Sequence, residues 1–399
     1  MAHISATHPR RAELQGTAAL VVVASLLGVA FGLSTMVTPL YLLYQKQFGF
    51  SRITLTLIYA VYVVGNIAAL LLFGRLSDSV GRRLTALGAI ALLIVATFVF
   101  LFASGVASLY VARVLSGLGI GVASGTANAW LAEFVGGARA RAATIGTSSN
   151  FLGLGVAALA SGLLAQYAPW PLHLPFVIYL VVLCAVAILV WYCQETVDSD
   201  AANVSVRPKL SLPRENSAQF VPPAITGFGL MALVGFYAAL MPSILSHDLR
   251  IGNHAAAGAL LFELAIVVAF VIVATQAVGS RLAMLWSLGL MIPAAAGVVL
   301  AQASASVWVM LVVTAVVGVS VGLGYRGSLQ VVNRIAPPQE RAAVVSSYFV
   351  CCFLGNALPV IGVGVLSTFT SMTIADIAFA CMIAAFAAVA LVFGLNKRH

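Results

Sequence analysis

Charged side chains are scarce in this sequence. They make up 8% of its 399 residues, whereas a soluble globular domain carries about 25%. A water-exposed surface needs many charged groups, so this scarcity excludes a soluble enzyme and a soluble nucleic-acid-binding protein. Hydrophobic residues make up 62% of the chain, which excludes an intrinsically disordered protein. The composition therefore indicates an integral membrane protein.

Cysteine is also scarce, and its spacing does not match any metal site or redox motif. All five cysteines fall in or at the ends of apolar stretches, which favours ordinary packing roles for them. They are Cys184, Cys193, Cys351, Cys352 and Cys381. The sequence shows no nucleotide-binding motif in a suitable context and no arguable pair of nucleophile and base. We therefore predict no bound metal, no cofactor and no enzymatic activity.

Long runs without Asp, Glu, Lys or Arg recur along the whole chain. A membrane-spanning helix needs about 20 apolar residues, and the runs 142–194 and 282–325 are each long enough for two helices. Polar or proline-rich stretches interrupt both runs, at 166–175 and at 302–306. Together the runs predict twelve spanning helices. The first run is too long for a secretory signal peptide, so we expect it to form helix 1.

Basic residues are distributed unevenly between the predicted loops. Of the 20 Lys and Arg residues, fifteen lie on the side of the two termini, and Arg113 and Arg326 lie inside helices. The opposite side holds only Lys46, Arg52 and Arg250. Because positive charge accumulates on the cytoplasmic side, we predict cytoplasmic termini in a multi-pass protein of a bacterial cytoplasmic membrane. The bias also explains the net charge of +9 without a nucleic-acid partner.

The predicted helices fall into two similar groups of six. Residues 196–219 are polar and contain Pro208 and Pro213, which predicts a cytoplasmic linker between an N-terminal bundle, 1–195, and a C-terminal bundle, 220–399. Three short patterns recur at offsets of 200 to 203. They are Gly32 with Pro39 and Gly235 with Pro242, Arg141-Ala-Ala143 and Arg341-Ala-Ala343, and Phe151-Leu-Gly153 and Phe353-Leu-Gly355. We predict an all-α membrane protein built from two pseudo-symmetric six-helix bundles.

The segment after predicted helix 2 contains a fixed pattern of glycines and charges. It reads Gly74-Arg-Leu-Ser-Asp78-Ser-Val-Gly81-Arg82-Arg83. The pattern G-x-L-x-D-x-x-G-R-R resembles the signature loop of the major facilitator superfamily at all its fixed positions. The twelve-helix layout and the central linker extend the resemblance over essentially the whole chain. The resemblance implies a secondary transporter that works by alternating access.

The same resemblance implies a gate at this loop. Gly74 and Gly81 allow a tight turn. By the resemblance, Asp78 would dock against the start of helix 11, and Arg82 would reach Glu133 at the end of helix 4. Such a network would hold the two halves together while the cavity opens outward. The alternative is a loop whose arginines only follow the charge bias.

Two charged residues lie deep inside predicted helices. By helical rise, Arg113 lies about 10 Å from the outer end of helix 4, and Glu263 about 12 Å from the outer end of helix 8. Charges at such depth are costly and usually functional. Arg113 opens the run R-x-x-x-G-x-G-x-G, which resembles a helix 4 motif associated with proton coupling. A proton-controlled pair of Arg113 and Glu263 is one interpretation; a snorkelling arginine and an acid bonded within its own half are the alternatives.

The remaining candidate residues are polar or aromatic and lie on helices that line the pore in the resembled fold. Aromatic and amide groups with few charges suit an amphipathic substrate, although we expect some of these residues to pack between helices instead. For Arg326 the choice lies between an anionic group of the substrate and a lipid headgroup. The candidates are Tyr41, Tyr62, Asn66, Asn128, Asn150, Phe236, Tyr237, Tyr325, Arg326 and Asn356. Asp376 is expected to cap the start of helix 12.

These observations predict a monomeric transporter, surrounded by membrane lipid, that exports small amphipathic molecules such as drugs and is driven by a proton gradient. The sequence resembles the drug–proton antiporter branch but has Ala157-Ala158 where that branch carries Gly-Pro in helix 5. Without the proline, helix 5 should be straighter, and the antiporter assignment is weakened. The alternative function is proton-coupled or facilitative uptake of a small solute, such as a sugar, an organic acid or another metabolite.

Overall fold

The computed structural model describes residues 13–74, 76–197, 217–337 and 340–396. Within these ranges, twelve helices are long and apolar enough to cross a membrane, as predicted. They are α1 (Gly16–Phe48), α2 (Arg52–Phe73), α3 (Arg82–Leu101), α4 (Val106–Phe134), α5 (Arg139–Tyr167), α6 (Leu174–Trp191), α7 (Ser217–His247), α8 (His254–Ala274), α9 (Ser280–Ala303), α10 (Val307–Ile335), α11 (Arg341–Phe369) and α12 (Met372–Asn396). The chain is thus an all-α membrane protein of two six-helix bundles.

The first and last helices distinguish the two ends of the bundle. The proximal end is the one at which α1 begins and α12 ends, and the distal end is the opposite one. Helix α7 begins at Ser217, inside the predicted linker 196–219. Most of that linker, 198–216, lies outside the described residues. The predicted division into 1–195 and 220–399 therefore stays a prediction.

Glycines bring helix backbones into contact at equivalent places in the two halves. A Cβ atom on Gly153 of α5 would lie 2.0 Å from the carbonyl oxygen of Gly28 on α1. A Cβ atom on Gly355 of α11 would lie 2.2 Å from the carbonyl oxygen of Phe228 on α7. Gly153 and Gly355 are the glycines of the repeated Phe-Leu-Gly sequence. The repeat therefore marks the same close helix contact in both halves, of the kind that stabilises helix pairs in membranes.

The first helix of each half differs in continuity. Helix α1 is broken by a 3₁₀ turn at Thr38–Leu40 that contains Pro39, because proline lacks the N–H that a continuous helix needs. Helix α7 runs through the equivalent Pro242 without a break. Helix α5 is continuous across Ala157-Ala158. The two halves are thus similar in layout but not in local geometry.

The two halves meet mainly in the distal part of the bundle. Helix α5 packs against α8, where a Cβ atom on Gly258 would lie 2.4 Å from the carbonyl oxygen of Ala158. Helix α2 packs against α11, where a Cβ atom on Gly364 would lie 2.2 Å from Thr56 Oγ1. Toward the proximal end, the side chain of Asn128 on α4 is exposed. The described contacts between the halves are therefore concentrated in the distal part of the bundle.

A charged group from each half lies at the distal closure. Arg52 begins α2, and Asp248 follows α7. Burial raises the pKa of the Asp248 carboxyl, and the nearby His247 and Arg52 act in the opposite direction. At the distal closure, Arg52 of the N-terminal half thus attracts Asp248 of the C-terminal half over a longer range. The direct contacts there come from close packing at glycines.

The contact between α1 and α5 leads to a stability prediction. We expect Gly153→Val to lower the melting temperature, because its Cβ would overlap the α1 backbone and overpacking costs about 1–3 kcal/mol. Gly88→Ala is the matched control, since no atom lies within 4 Å of its Cβ position. That control should be neutral or slightly stabilising, because alanine favours a helix over glycine. Equal melting temperatures for Gly153→Val and the unchanged protein would contradict the close contact.

Candidate functional site

Arg113 is enclosed in an aromatic cage inside the N-terminal half. Its guanidinium carbon lies 5.4 Å from the ring centre of Tyr41, 6.0 Å from that of Tyr59 and 5.8 Å from that of Tyr62. Phe100 of α3 supplies a fourth ring at 5.9 Å. The side chain is fully buried, which excludes the predicted alternative of snorkelling to the surface. Cation–π attraction is strengthened at such a desolvated site.

The break in α1 provides the hydrogen-bond partners of Arg113. The last four carbonyls of a helix lack partners within the helix, and the first segment of α1 ends at Met36. Arg113 Nη1 donates to the freed carbonyl of Ser34 at 2.9 Å, and Nη2 donates to the hydroxyl of Tyr41, just after the break. The Ser161 hydroxyl of α5 donates to the carbonyl of Met36 at 2.6 Å. The proline break and the buried arginine therefore form one structural unit.

Arg113 and Glu263 are not joined by an ion pair in this conformation. Among the described residues, no carboxylate makes an ion pair with Arg113. Glu263 Oε2 is buried and has no hydrogen-bond partner. Glu263 shares a face of α8 with Ile266 and Phe270, three and seven residues further along, and both are exposed. Sequence depth cannot show which way a side chain points around its helix, and a proton-controlled pair of Arg113 and Glu263 stays a prediction.

A hydrogen-bond clasp joins the two halves near the middle of α2 and α11. The hydroxyls of Tyr59 and Tyr62 each donate to Asn356 Oδ1 at 2.8 Å. Asn356 Nδ2 donates to the carbonyl of Met231 on α7 at 3.2 Å. All three side chains of the clasp are buried. Tyr62 and Asn356 were cavity candidates, whereas Tyr59 was missed, although it lies three residues from Tyr62 on the same helical face.

Three asparagines approach the interface from the N-terminal half. Asn66, one turn after Tyr62 on α2, is 1% exposed, and neither atom of its amide has a hydrogen-bond partner. Asn150 on α5 is half-buried, and its Oδ1 has no partner. Asn128 is exposed and donates to the carbonyl of Ser124 on its own helix at 2.8 Å. Buried amides without partners are costly, so Asn66 and Asn150 are candidate hydrogen-bonding groups for a ligand.

The other candidates divide between the interface and helix packing. Tyr325 of α10 meets Phe151 of α5 edge-to-face at 5.9 Å, which is a contact between the halves. Phe236 stacks on Phe379 of α12 at 4.5 Å and is therefore a packing residue within the C-terminal half. The hydroxyl of Tyr237 pairs with that of Thr314 on α10 at 3.1 Å. Tyr237 therefore also packs within its own half.

Arg326 also makes a hydrogen bond within the C-terminal half. It is buried, and its Nη2 donates to the carbonyl of Val278 at 2.8 Å. Val278 lies in the loop between α8 and α9, so Arg326 ties α10 to that loop. Among the described contacts, none places Arg326 at the interface between the halves. This hydrogen bond does not involve either predicted partner, a substrate anion or a lipid headgroup.

The predicted charge network forms at the proximal end, within the N-terminal half. Arg82 donates to Glu133 Oε1 from Nη2 at 2.8 Å and from Nε at 3.2 Å. Its Nη1 donates to Asp78 Oδ1 and to the hydroxyl of Ser77, both at 2.6 Å. The contact between Arg82 and Glu133 is thus present, as the resemblance implied. Asp78 is bonded to Arg82 in this conformation, and its docking on α11 stays a prediction.

Glu195 completes this network and was missed in the sequence. Its carboxylate accepts the backbone N–H groups of Arg82 and Arg83, both at 2.9 Å, and so caps the start of α3. Gly81, with φ of +99°, permits this approach, because a Cβ there would lie 2.8 Å from Glu195 Oε2. The hydroxyl of Thr196 bonds to Glu133. Glu195 lies more than 110 residues from Arg82 in the chain, so no local pattern could have indicated the contact.

The structure also shows the surroundings of Gly74 and Asp376. Gly74 ends α2 in a right-handed conformation, and a Cβ there would lie 2.7 Å from the carbonyl oxygen of Leu70. Asp376 does not cap α12, because the helix begins one turn earlier, where Ser371 Oγ accepts the N–H of Ile374 at 3.3 Å. Asp376 is instead 1% exposed, and neither carboxylate oxygen has a hydrogen-bond partner.

Twelve spanning helices in two similar halves, with the contacts between the halves concentrated at one end, are the layout of a secondary transporter of the alternating-access type. The sequence model of the Major Facilitator Superfamily matches residues 22–360. The chain therefore belongs to the Major Facilitator Superfamily, and it is a transporter and not an enzyme. No protein of curated function matches the chain in sequence.

One solved structure illustrates the similarity of fold. It is described as a bacterial homolog to the human lysosomal transporter Spinster, in an inward-facing and unoccupied conformation. The match has a TM-score of 0.70 at 15% identity, and it covers 96% of this chain and 98% of that chain. At this identity the likeness concerns the fold alone.

The cap on α3 leads to a second prediction. We expect Glu195→Gln to lower the melting temperature of the purified protein, because a neutral amide stabilises the positive end of a helix less well than a carboxylate does. Loss of a good cap costs about 1 kcal/mol. Glu13→Gln is the matched control, since Glu13 is exposed. Equal melting temperatures for the two variants would show that the cap does not stabilise the fold.

Proposed function

We propose that this protein exports small amphipathic molecules, such as drugs, across a bacterial cytoplasmic membrane in exchange for protons. The observation that carries the proposal is the buried amide of Asn66, which has neither a donor nor an acceptor partner. A native protein rarely leaves such a group unsatisfied. A polar group of a bound substrate would supply the missing hydrogen bonds.

The surroundings of Asn66 favour an amphipathic substrate. Tyr62 lies one turn from Asn66 toward the distal end and bonds to Asn356, and Phe151 meets Tyr325 elsewhere at the interface between the halves. Aromatic rings offer apolar area, and the amides offer neutral hydrogen-bonding groups. None of these residues carries an acidic side chain. The site therefore suits a molecule with a large apolar part and an uncharged polar group.

The distribution of contacts between the halves is consistent with loading from the cytoplasm. The excess of Lys and Arg predicts that the proximal end is cytoplasmic, and the described contacts between the halves are concentrated at the opposite end. In the proposal, substrate enters at the proximal end, the halves rock, and the distal closure opens to release it. The network of Asp78, Arg82 and Glu133 would then hold the proximal end in the alternate state, with Asp78 moving onto α11.

Uptake or facilitated diffusion of a small solute is the second candidate function. Two observations favour it. Helix α5 lacks the Gly-Pro step of the antiporter branch, and Glu263 lies on a face of α8 with exposed apolar residues, without an ion-pair contact to Arg113. Either feature would weaken the coupling of transport to protons. A protein open at the cytoplasmic end could also release a solute that it has imported.

A third prediction tests the amide of Asn66. In proteoliposomes loaded with a panel of amphipathic dyes, we expect Asn66→Ala to raise KM about tenfold, which corresponds to about 1.4 kcal/mol of lost binding, with little change in maximal rate. Asn333→Ala is the control, because Asn333 is exposed and bonds only to the carbonyl of Leu329 on its own helix. An unchanged KM for Asn66→Ala would remove Asn66 from the binding site.

A fourth prediction concerns proton coupling. We expect an imposed pH gradient to accelerate export in the unchanged protein, and Glu263→Gln to abolish that acceleration while leaving slow downhill movement. Asp376→Asn is the comparison, since Asp376 is 1% exposed and makes no ion pair among the described residues. If Asp376→Asn alone removes the response, Asp376 is the proton carrier. If transport by the unchanged protein is indifferent to pH, the second candidate function replaces export in exchange for protons.

A further inference from the structure

Two tyrosines of α2, Tyr59 and Tyr62, each contact one residue of the N-terminal half and one residue of the C-terminal half. Their hydroxyls donate to Asn356 of the C-terminal half, and their rings lie against the guanidinium of Arg113 in the N-terminal half. The ring centres of Tyr59 and Tyr62 are 5.6 Å apart, with an angle of 62° between the planes. Because a phenol is rigid, its hydroxyl cannot move without moving the ring. The two sets of contacts are therefore linked through the same side chains.

Asn356 is held firmly on the C-terminal side. Its amide nitrogen donates to the carbonyl of Met231, so its oxygen must face the tyrosines. The backbone around it is fixed as well, because a Cβ on Gly235 of α7 would lie 2.4 Å from the carbonyl oxygen of Asn356. The acceptor of the clasp thus moves with the C-terminal bundle and cannot follow the tyrosines independently.

Arg113 is held just as firmly on the N-terminal side. It is bonded to Ser34 and Tyr41, and the rings of Tyr41 and Phe100 that lie against it belong to the same half. Among the described side chains around it, those of Tyr59 and Tyr62 also hydrogen-bond to the C-terminal half. With no carboxylate among its described contacts, Arg113 depends on these rings to balance its buried charge. A movement that tilts the rings therefore weakens the stabilisation of the charge.

From this arrangement we infer that Tyr59 and Tyr62 are positioning residues that couple the buried charge of Arg113 to the closure of the distal end through Asn356. This inference rests on the alternating-access function proposed above. When the distal ends separate, the clasp breaks and the two rings are released from their orientation on Arg113. Conversely, Arg113 holds the rings in the orientation that places both hydroxyls on Asn356. Arg113 thereby favours the closed distal end without contacting the C-terminal half itself.

The test measures opening of the distal end in the purified protein without substrate. Ser243→Cys provides a reporter, because Ser243 is buried on α7 and lines a small cavity of about 10 Å³ between Arg52 and Gly364 at the distal closure. The rate at which a hydrophilic maleimide labels this cysteine reports distal opening. The chain without the reporter gives the background from its native cysteines. Cys193 contributes little to that background, because burial raises the pKa of its thiol to about 11.

We expect Tyr59→Phe and Tyr62→Phe each to increase the labelling rate, on the order of tenfold, because each keeps its ring on Arg113 but loses its hydrogen bond to Asn356. Tyr179→Phe is the matched control, since the buried hydroxyl of Tyr179 bonds only to Val29 within the N-terminal half. It should leave the labelling rate unchanged. Equal labelling rates for the unchanged protein and both clasp variants would overturn the inference.

The coupling itself is tested by combining substitutions. Arg113→Gln should raise the labelling rate when the tyrosine hydroxyls are present, and should have little further effect in the Tyr59→Phe/Tyr62→Phe background, because coupled residues give non-additive effects. If Arg113→Gln does not fold, Arg113→Lys replaces it in the test, because lysine keeps the positive charge but lacks the guanidinium group that bonds to Ser34 and Tyr41. The same fold increase in both backgrounds would show that Arg113 and the clasp act independently. These measurements need no transport, so their outcome is separate from that of the export assays.

Discussion

Close contact between helix backbones is the constraint on which the rest of this structure depends. In a bilayer, burying an apolar side chain against another helix gains little over leaving it in lipid, so helices associate where their surfaces fit closely. Gly153 against Gly28 and Gly355 against Phe228 set the distance between the first and fifth helix of each half. Gly117 does the same between α4 and α2, because a Cβ there would lie 2.0 Å from the carbonyl oxygen of Tyr62. That last contact fixes where the tyrosines of α2 meet Arg113 of α4.

Much of the fold could be predicted because the bilayer imposes its demands on sequence directly. Each span needs a long apolar run, and loops carry a charge bias, so helix number and layout can be recognised without knowing any contact. The contact of Arg82 with Glu133 was predictable for a different reason, since the loop pattern resembles that of a large family. Repeated sequence also proved informative, because Phe-Leu-Gly recurs where the same two helices touch. These signals are short, but each corresponds to a physical requirement.

The candidate site was predicted less well, because a side chain's direction around its helix is decided by packing. Glu263 has the right depth but points toward a face with exposed apolar residues, and Phe236 stacks within its own half. Arg113 was recognised as buried, yet its partners are a carbonyl and aromatic rings in place of an acid. The cap from Glu195 joins residues far apart in the chain. Such contacts depend on the assembled bundle, and a single sequence does not reveal them.

The proline break in α1 has a consequence for how the two halves have diverged. The equivalent proline in α7 leaves its helix continuous, whereas the described break in the first bundle receives a buried guanidinium. The asparagine of the clasp, by contrast, belongs only to the second bundle, since Phe-Leu-Gly is followed there by Asn356 and in the first bundle by Leu154. Each bundle has thus specialised after duplication, one to hold a cation and the other to receive phenol hydroxyls. A chimera of two first bundles would keep the architecture but have no acceptor for its own tyrosines.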